Sequence, residues 1–268
     1  MKQIWEIGRS DYQRNKYDIL RKAQRNVSCL TSGQLGPRFK DSQRTFVSTI
    51  IKSSVMHETV WNEGDVTKML VQKDRVQAMD NSLVDLMGTI FYERTRETIQ
   101  SYLDHKEKMI QGFRDALSLA VDSAKAPIDS GKKLPIRYIQ LSYLLSGVLL
   151  KEFRLKIDLY DTRHYGDLTG GDGYWDYAEL FPYVDEDIDR LKEEWEQQFL
   201  HIREYEVVDL RLRYSVGVFA ILEKILRDMV SEEAFGPVLE GMMEPEAAVF
   251  YGAYLDQSAV IATMKRSS

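Results

Sequence analysis

His164 lies three positions from both Asp161 and Asp167, with Arg163 and Tyr165 beside it. A carboxylate next to an imidazole orients the ring and raises its pKa, as a general base requires. The catalytic candidates are therefore His164, Asp161 and Asp167. They sit in a longer stretch, Asp158 to Asp189, that reads DLYDTRHYGDLTGGDGYWDYAELFPYVDEDID. Its rings need something to cover them, because large apolar surface in water is costly. Tyr165, Tyr174, Trp175, Tyr177 and Phe181 are the candidate binding residues, with the aspartates as a polar rim. Two readings of the rings are open. They fold back as a satellite core, or they form a recognition surface, and burial of Trp175 decides between them.

Other chemistries fail on spacing. With Gly173 as the sharp-turn glycine of a calcium loop, Asp172, Asp176 and Glu179 match. The first two ligand positions, however, are Leu168 and Gly170, which supply no side-chain oxygen. A di-iron carboxylate centre needs Glu three residues before two histidines. The residues three before His57, His105, His164 and His201 are Ser54, Tyr102, Asp161 and Gln198. There is no nucleophile elbow, and Gly-Gly-Asp-Gly lacks the Lys-Ser/Thr of a phosphate loop. No metal and no cofactor are expected.

A lone cysteine, Cys29, rules out an internal disulfide and fits a reducing, cytoplasmic setting. No signal peptide is expected from the opening residues. The apolar run Tyr138 to Leu150 is too short for a membrane span, which needs about 20 residues, so no membrane partner is expected. Residues 1–52 hold eleven Lys+Arg against four Asp+Glu, so +7, which leaves −13 for the rest of a chain of net charge −6. Such a basic arm folds back on its own acidic body or binds nucleic acid.

The elements that position these residues read as helices. Apolar positions from Val66 through Phe91, and on through Val121, recur every three or four residues, with a break expected near Gly88 or Gly112. APIDSGKKLP at 126–135 punctuates the chain and divides it into 1–130, with the basic arm, and 131–268. Pro135 is expected to open a helix through Leu141, Leu145, Leu149, Phe153 and Ile157. FRLKIDLY at 153–160 alternates like a strand as well, but it is read as helix because no partner strand is evident. Val184 to Met229 is amphipathic, with Asp185, Glu186 and Asp187 where a helix dipole favours acids. A final helix is expected over 248–264.

The sequence thus predicts a mostly α, all-α bundle-like protein with a long irregular aromatic and acidic inter-helix segment. The first functional expectation is an interaction or regulatory protein that binds a protein partner, or itself, through 158–189. The second is an enzyme or small-molecule binder with a pocket at His164 and nearby carboxylates. The third is nucleic-acid binding by the N-terminal arm.

Overall fold

A computed structural model describes residues 66–231, 235–239 and 241–265. The basic arm, Cys29 and His57 lie outside the described residues. Two compact units divide the chain: residues up to Arg96 with Tyr183–Ala220, and Glu97–Pro182 with Ile221–Ser268.

Helix α1 runs Val66–Asp104 and α2 runs Lys106–Asp129. The break falls at His105 rather than at a glycine. One interior glycine costs only about 1 kcal/mol against alanine, which side-chain packing along a helix readily offsets. Helices α4, Val184–Gln198, and α5, Glu204–Ser231, divide the long amphipathic run in two. The first unit's described core is helical, with Met87 and Phe91 of α1, Ile188 and Leu191 of α4, and Tyr214 and Val218 of α5 all buried. Phe91 and Tyr214 stack with centroids 4.7 Å apart.

The second unit is not helical throughout, and the expectation of an all-α bundle is corrected here. Strands β1 (Ile136–Tyr143), β2 (Arg154–Tyr160), β3 (Asp172–Asp176), β4 (Met243–Ala253) and β5 (Ser258–Lys265) form one sheet in the order β3-β2-β1-β4-β5. Only the β1–β4 pair is parallel; the others are antiparallel. Pro135 precedes a strand, 153–160 is strand, and 248–264 is most of a hairpin. Residues 158–189 are not one irregular linker, since they supply the edge strand β3 and the start of α4. A short helix, α3, Leu145–Leu149, links β1 to β2, and another, α6, Gly236–Leu239, precedes β4.

The two faces of this sheet differ, because successive strand residues point to opposite sides. On one face Ile139, Leu141, Leu155, Ile157, Leu159, Trp175, Val249 and Tyr251 are all buried. Trp175 meets Phe113 of α2 edge-on at 5.3 Å, and Phe113 meets Phe235 at 4.8 Å. Close approach of β3 to α2 depends on Gly173, where an added Cβ would lie 2.5 Å from the Ala116 carbonyl oxygen. Gly173→Ala should therefore cost about 1–3 kcal/mol in chemical denaturation. A loss below about 0.5 kcal/mol would show that this interface yields. The other face carries Tyr138, Gln140, Ser142, Lys156, Asp158, Tyr160, Phe250 and Tyr174, by the register of the five strands. That face positions the candidate site.

Candidate functional site

The acids around His164 close on cations of the same chain. Lys133 has a fully buried ammonium group that pairs with Asp167 Oδ2. It also donates to the carbonyl oxygens of Leu159 at 2.7 Å, Thr169 at 3.0 Å and Gly170 at 3.1 Å. The second oxygen of Asp167 accepts from the Thr169 hydroxyl at 2.6 Å and its N–H at 3.1 Å. Asp161 accepts from the Arg163 guanidinium at 2.6–3.0 Å, the Arg163 N–H at 2.8 Å and the Leu134 N–H at 3.1 Å. One carboxylate and three carbonyls thus hold the ammonium group. Gly170 and Gly171 take φ of +55° and +95°, a region that favours glycine, and so let the loop turn beneath Lys133.

Electrostatics follow this geometry. Burial pushes the Asp161 carboxyl up, but the hydrogen bonds from Arg163 and Leu134 outweigh it and hold the group at about 2. Asp167 is lowered in the same way, burial being offset by Lys133, Thr169 and the Asp161 N–H. Both groups titrate lower in the folded chain than in the unfolded one. Their contribution to stability is complete above about pH 5 and is lost as the pH falls towards 2. Urea midpoints should therefore drop between about pH 5 and pH 2.5, and Asp161→Asn should flatten that dependence. An unchanged slope in the variant would remove Asp161 as a source.

Neither carboxylate hydrogen-bonds the imidazole. His164 lies instead among rings: Tyr165 at 4.2 Å, Tyr138 at 4.9 Å, Tyr160 at 5.4 Å and Phe250 at 5.9 Å between centroids. Burial pushes its pKa down, which favours the neutral ring. Its Nε2 is buried without a hydrogen-bond partner. The five aromatic candidates separate. Trp175, Tyr177 and Phe181 are only 2–3% exposed and belong to the core. Tyr165 and Tyr174 stay 39% and 49% exposed, Tyr174 on the strand face that bears Asp158 and Tyr165 against the Tyr160 ring of that face.

That side holds residues the sequence did not single out. Gln140 and Asp158 are directly opposite each other across β1 and β2, and Phe250 is opposite Gln140 across β1 and β4. Tyr138 and Tyr160 form the next pair on the same face, and His164 packs against both rings and against Phe250. Gln140 is 1% exposed and Asp158 5%. Gln140 Nε2 reaches only Ser142 Oγ, at 3.4 Å, and its Oε1 has no partner. Asp158 pairs through Oδ1 with Lys156, whose Nζ sits 4.8 Å from the centre of the Tyr254 ring. Asp158 Oδ2 has no partner. Burial pushes the Asp158 carboxyl above the usual range, by more than Lys156 brings it down. One patch therefore gathers three buried, unpaired polar atoms: Asp158 Oδ2, Gln140 Oε1 and His164 Nε2. Of the three residues, His164 is a candidate from the sequence, and Gln140 stands there as a polar residue inside the apolar run YIQLSYLL.

Among the described residues no group of three or more His, Cys, Asp or Glu is placed to hold a metal ion. No described helix is long and apolar enough to cross a membrane. Compared with known proteins, the chain matches no family model, no curated protein and no solved structure, so the functional reading rests on the chemistry of this patch.

Proposed function

We propose that this chain is a cytoplasmic small-molecule-binding protein whose site is the sheet face around Asp158, Gln140 and His164. The observation that carries this reading is the gathering of three unpaired buried polar atoms within one aromatic-walled patch. A buried polar group left without a partner costs about 1–3 kcal/mol. Three such costs on one patch are unrewarded in the ligand-free chain, and a ligand that pairs them offsets all three. A few converging polar groups among aromatic walls is the usual composition of a small-molecule site. Binding of a protein partner through 158–189 has less support, because three of its five anchors lie in the core.

Gln140→Met should stabilise the ligand-free protein by about 1–2 kcal/mol, because it replaces an unpaired buried amide with an apolar chain of similar length. A residue kept for structure would instead destabilise when replaced. Ligand-observed NMR with a fragment set on the full chain tests binding itself. Hits should weaken at least about tenfold in both Gln140→Met and Asp158→Asn, the loss of one charge-assisted hydrogen bond. Hits that bind both variants as well as the parent chain would overturn the proposal.

A further inference from the structure

We propose that the ligand of this face carries a primary ammonium group. Its three N–H donors pair with Asp158 Oδ2, Gln140 Oε1 and His164 Nε2, and its carbon stem lies among Tyr138, Tyr160 and Phe250. The inference rests on the small-molecule reading above and names the class of ligand.

The unpaired atoms set the class. Two of them, a carboxylate oxygen and an amide oxygen, are acceptors. The third is the nitrogen of a half-buried imidazole, which accepts when the proton resides on Nδ1. Three acceptors in one patch call for a ligand group with several donors and no lone pairs of its own. An ammonium ion has three donors and no acceptor, whereas a hydroxyl brings one donor and two lone pairs. The chain holds an ammonium of its own in the same way, since Lys133 is satisfied by one carboxylate and three carbonyl oxygens. The orphan set repeats that chemistry with one carboxylate, one amide oxygen and one imidazole.

Charge and walls agree with the donor count. The charged groups that act on the patch are Lys156, Lys133, Asp158, Asp172 and Asp256, so carboxylates outnumber cations by three to two. Lys133 and Arg163 lie nearby, but each is matched by its own aspartate. The unpaired carboxylate and amide oxygens offer an anion no donor. A divalent metal would find a single carboxylate and a single imidazole, short of the ligand set such an ion needs. Rings around an organic cation add attraction through their π faces, and Lys156 over Tyr254 already shows that contact at this face.

The test uses the full chain and calorimetry at about pH 8, where a free histidine is neutral and an alkylamine is charged. The probes are 2-phenylethylamine, 2-phenylethanol and trimethyl(2-phenylethyl)ammonium. The amine should bind at least about tenfold more tightly than either analogue, one charge-assisted hydrogen bond being worth that factor. Gln140→Met and Asp158→Asn should each remove that preference, and Gln140→Met should unfold no earlier than the parent chain, which excludes misfolding as the cause. Equal binding of the alcohol, or equal binding of the trimethyl compound, would overturn the ammonium assignment. If that binding still depends on Gln140 and Asp158, the small-molecule reading stands without it. No binding of 2-phenylethylamine at millimolar concentration also overturns the assignment, and the fragment screen then decides the broader reading separately.

Discussion

Lys133→Met is expected to destabilise the second unit by about 3–5 kcal/mol, the usual cost of breaking a buried ion pair from one side. The ammonium is wholly shielded from water. Its removal leaves the Asp167 carboxylate without its cation and strips a donor from the carbonyls of Leu159, Thr169 and Gly170. Methionine keeps much of the stem's packing, so the loss reports the charge and its hydrogen bonds rather than a cavity. Urea denaturation followed by tryptophan fluorescence measures it, with Trp175 in the same unit. Lys132→Met is the control, because Lys132 is exposed and should change stability by less than about 0.5 kcal/mol. Adding Asp167→Asn to Lys133→Met should recover part of the loss, as expected for partners in direct contact. A loss below about 1 kcal/mol for Lys133→Met would mean that the loop does not depend on this ion pair.

Asp187→Ala should have a similar effect in the first unit, again about 3–5 kcal/mol. Asp187 is buried in the first turn of α4, where it accepts from Arg94 Nε at 3.0 Å and Nη2 at 2.8 Å. It also accepts from the Tyr214 hydroxyl. Burial, and then that hydrogen bond to the carboxylate, push the Tyr214 hydroxyl far above its ordinary pKa, so it stays a donor at any physiological pH. Arg94 lies over the Tyr183 ring, 4.6 Å from its centre. Loss of the carboxylate therefore disturbs a guanidinium and a buried hydroxyl at once. Glu186→Ala is the matching control, since that side chain is 80% exposed and should change stability by less than about 0.5 kcal/mol. If both substitutions cost the same small amount, Asp187 acts only through the helix dipole.

The comparison of Asp187 with Glu186 shows how far pattern reading extends. Three consecutive acids at 185–187 mark a helix start, and α4 does start there. Nothing in the sequence separates Asp187 from its neighbours, because the difference is the guanidinium that α1 brings to it. Lys132 and Lys133 repeat the lesson: two adjacent lysines, one exposed and one buried. The second is distinguished only by the turn of 167–171 around it.

The sheet was hidden for a different reason. Leu141, Leu145, Leu149, Phe153 and Ile157 repeat every four residues. Four is close to the helical period of 3.6, but it is also twice the strand period of two. In the fold Leu141 and Ile157 lie on the buried face of adjacent strands, while Leu145 and Leu149 are exposed on a single short helical turn. The partner that 153–160 lacked in sequence is β1, and β1 in turn pairs with β4 more than a hundred residues away, Ile139 beside Val249. Pairing across such a separation leaves no local mark.

By itself the sequence determined the long amphipathic runs, the punctuation at 126–135, and the weight of aromatic and acidic residues in 158–189, because these depend on the order of neighbours along the chain. It also named Trp175 as the residue that decides the role of those aromatics, and Trp175 lies in the core. Only the tertiary structure decided which polar groups find partners. Asp161 and Asp167 are satisfied by Arg163 and Lys133, whereas Asp158, Gln140 and His164 each keep a buried atom unpaired. Hydrogen-bond satisfaction is a property of groups brought together across strands and loops, so the candidate site emerged only when the sheet placed Gln140 opposite Asp158.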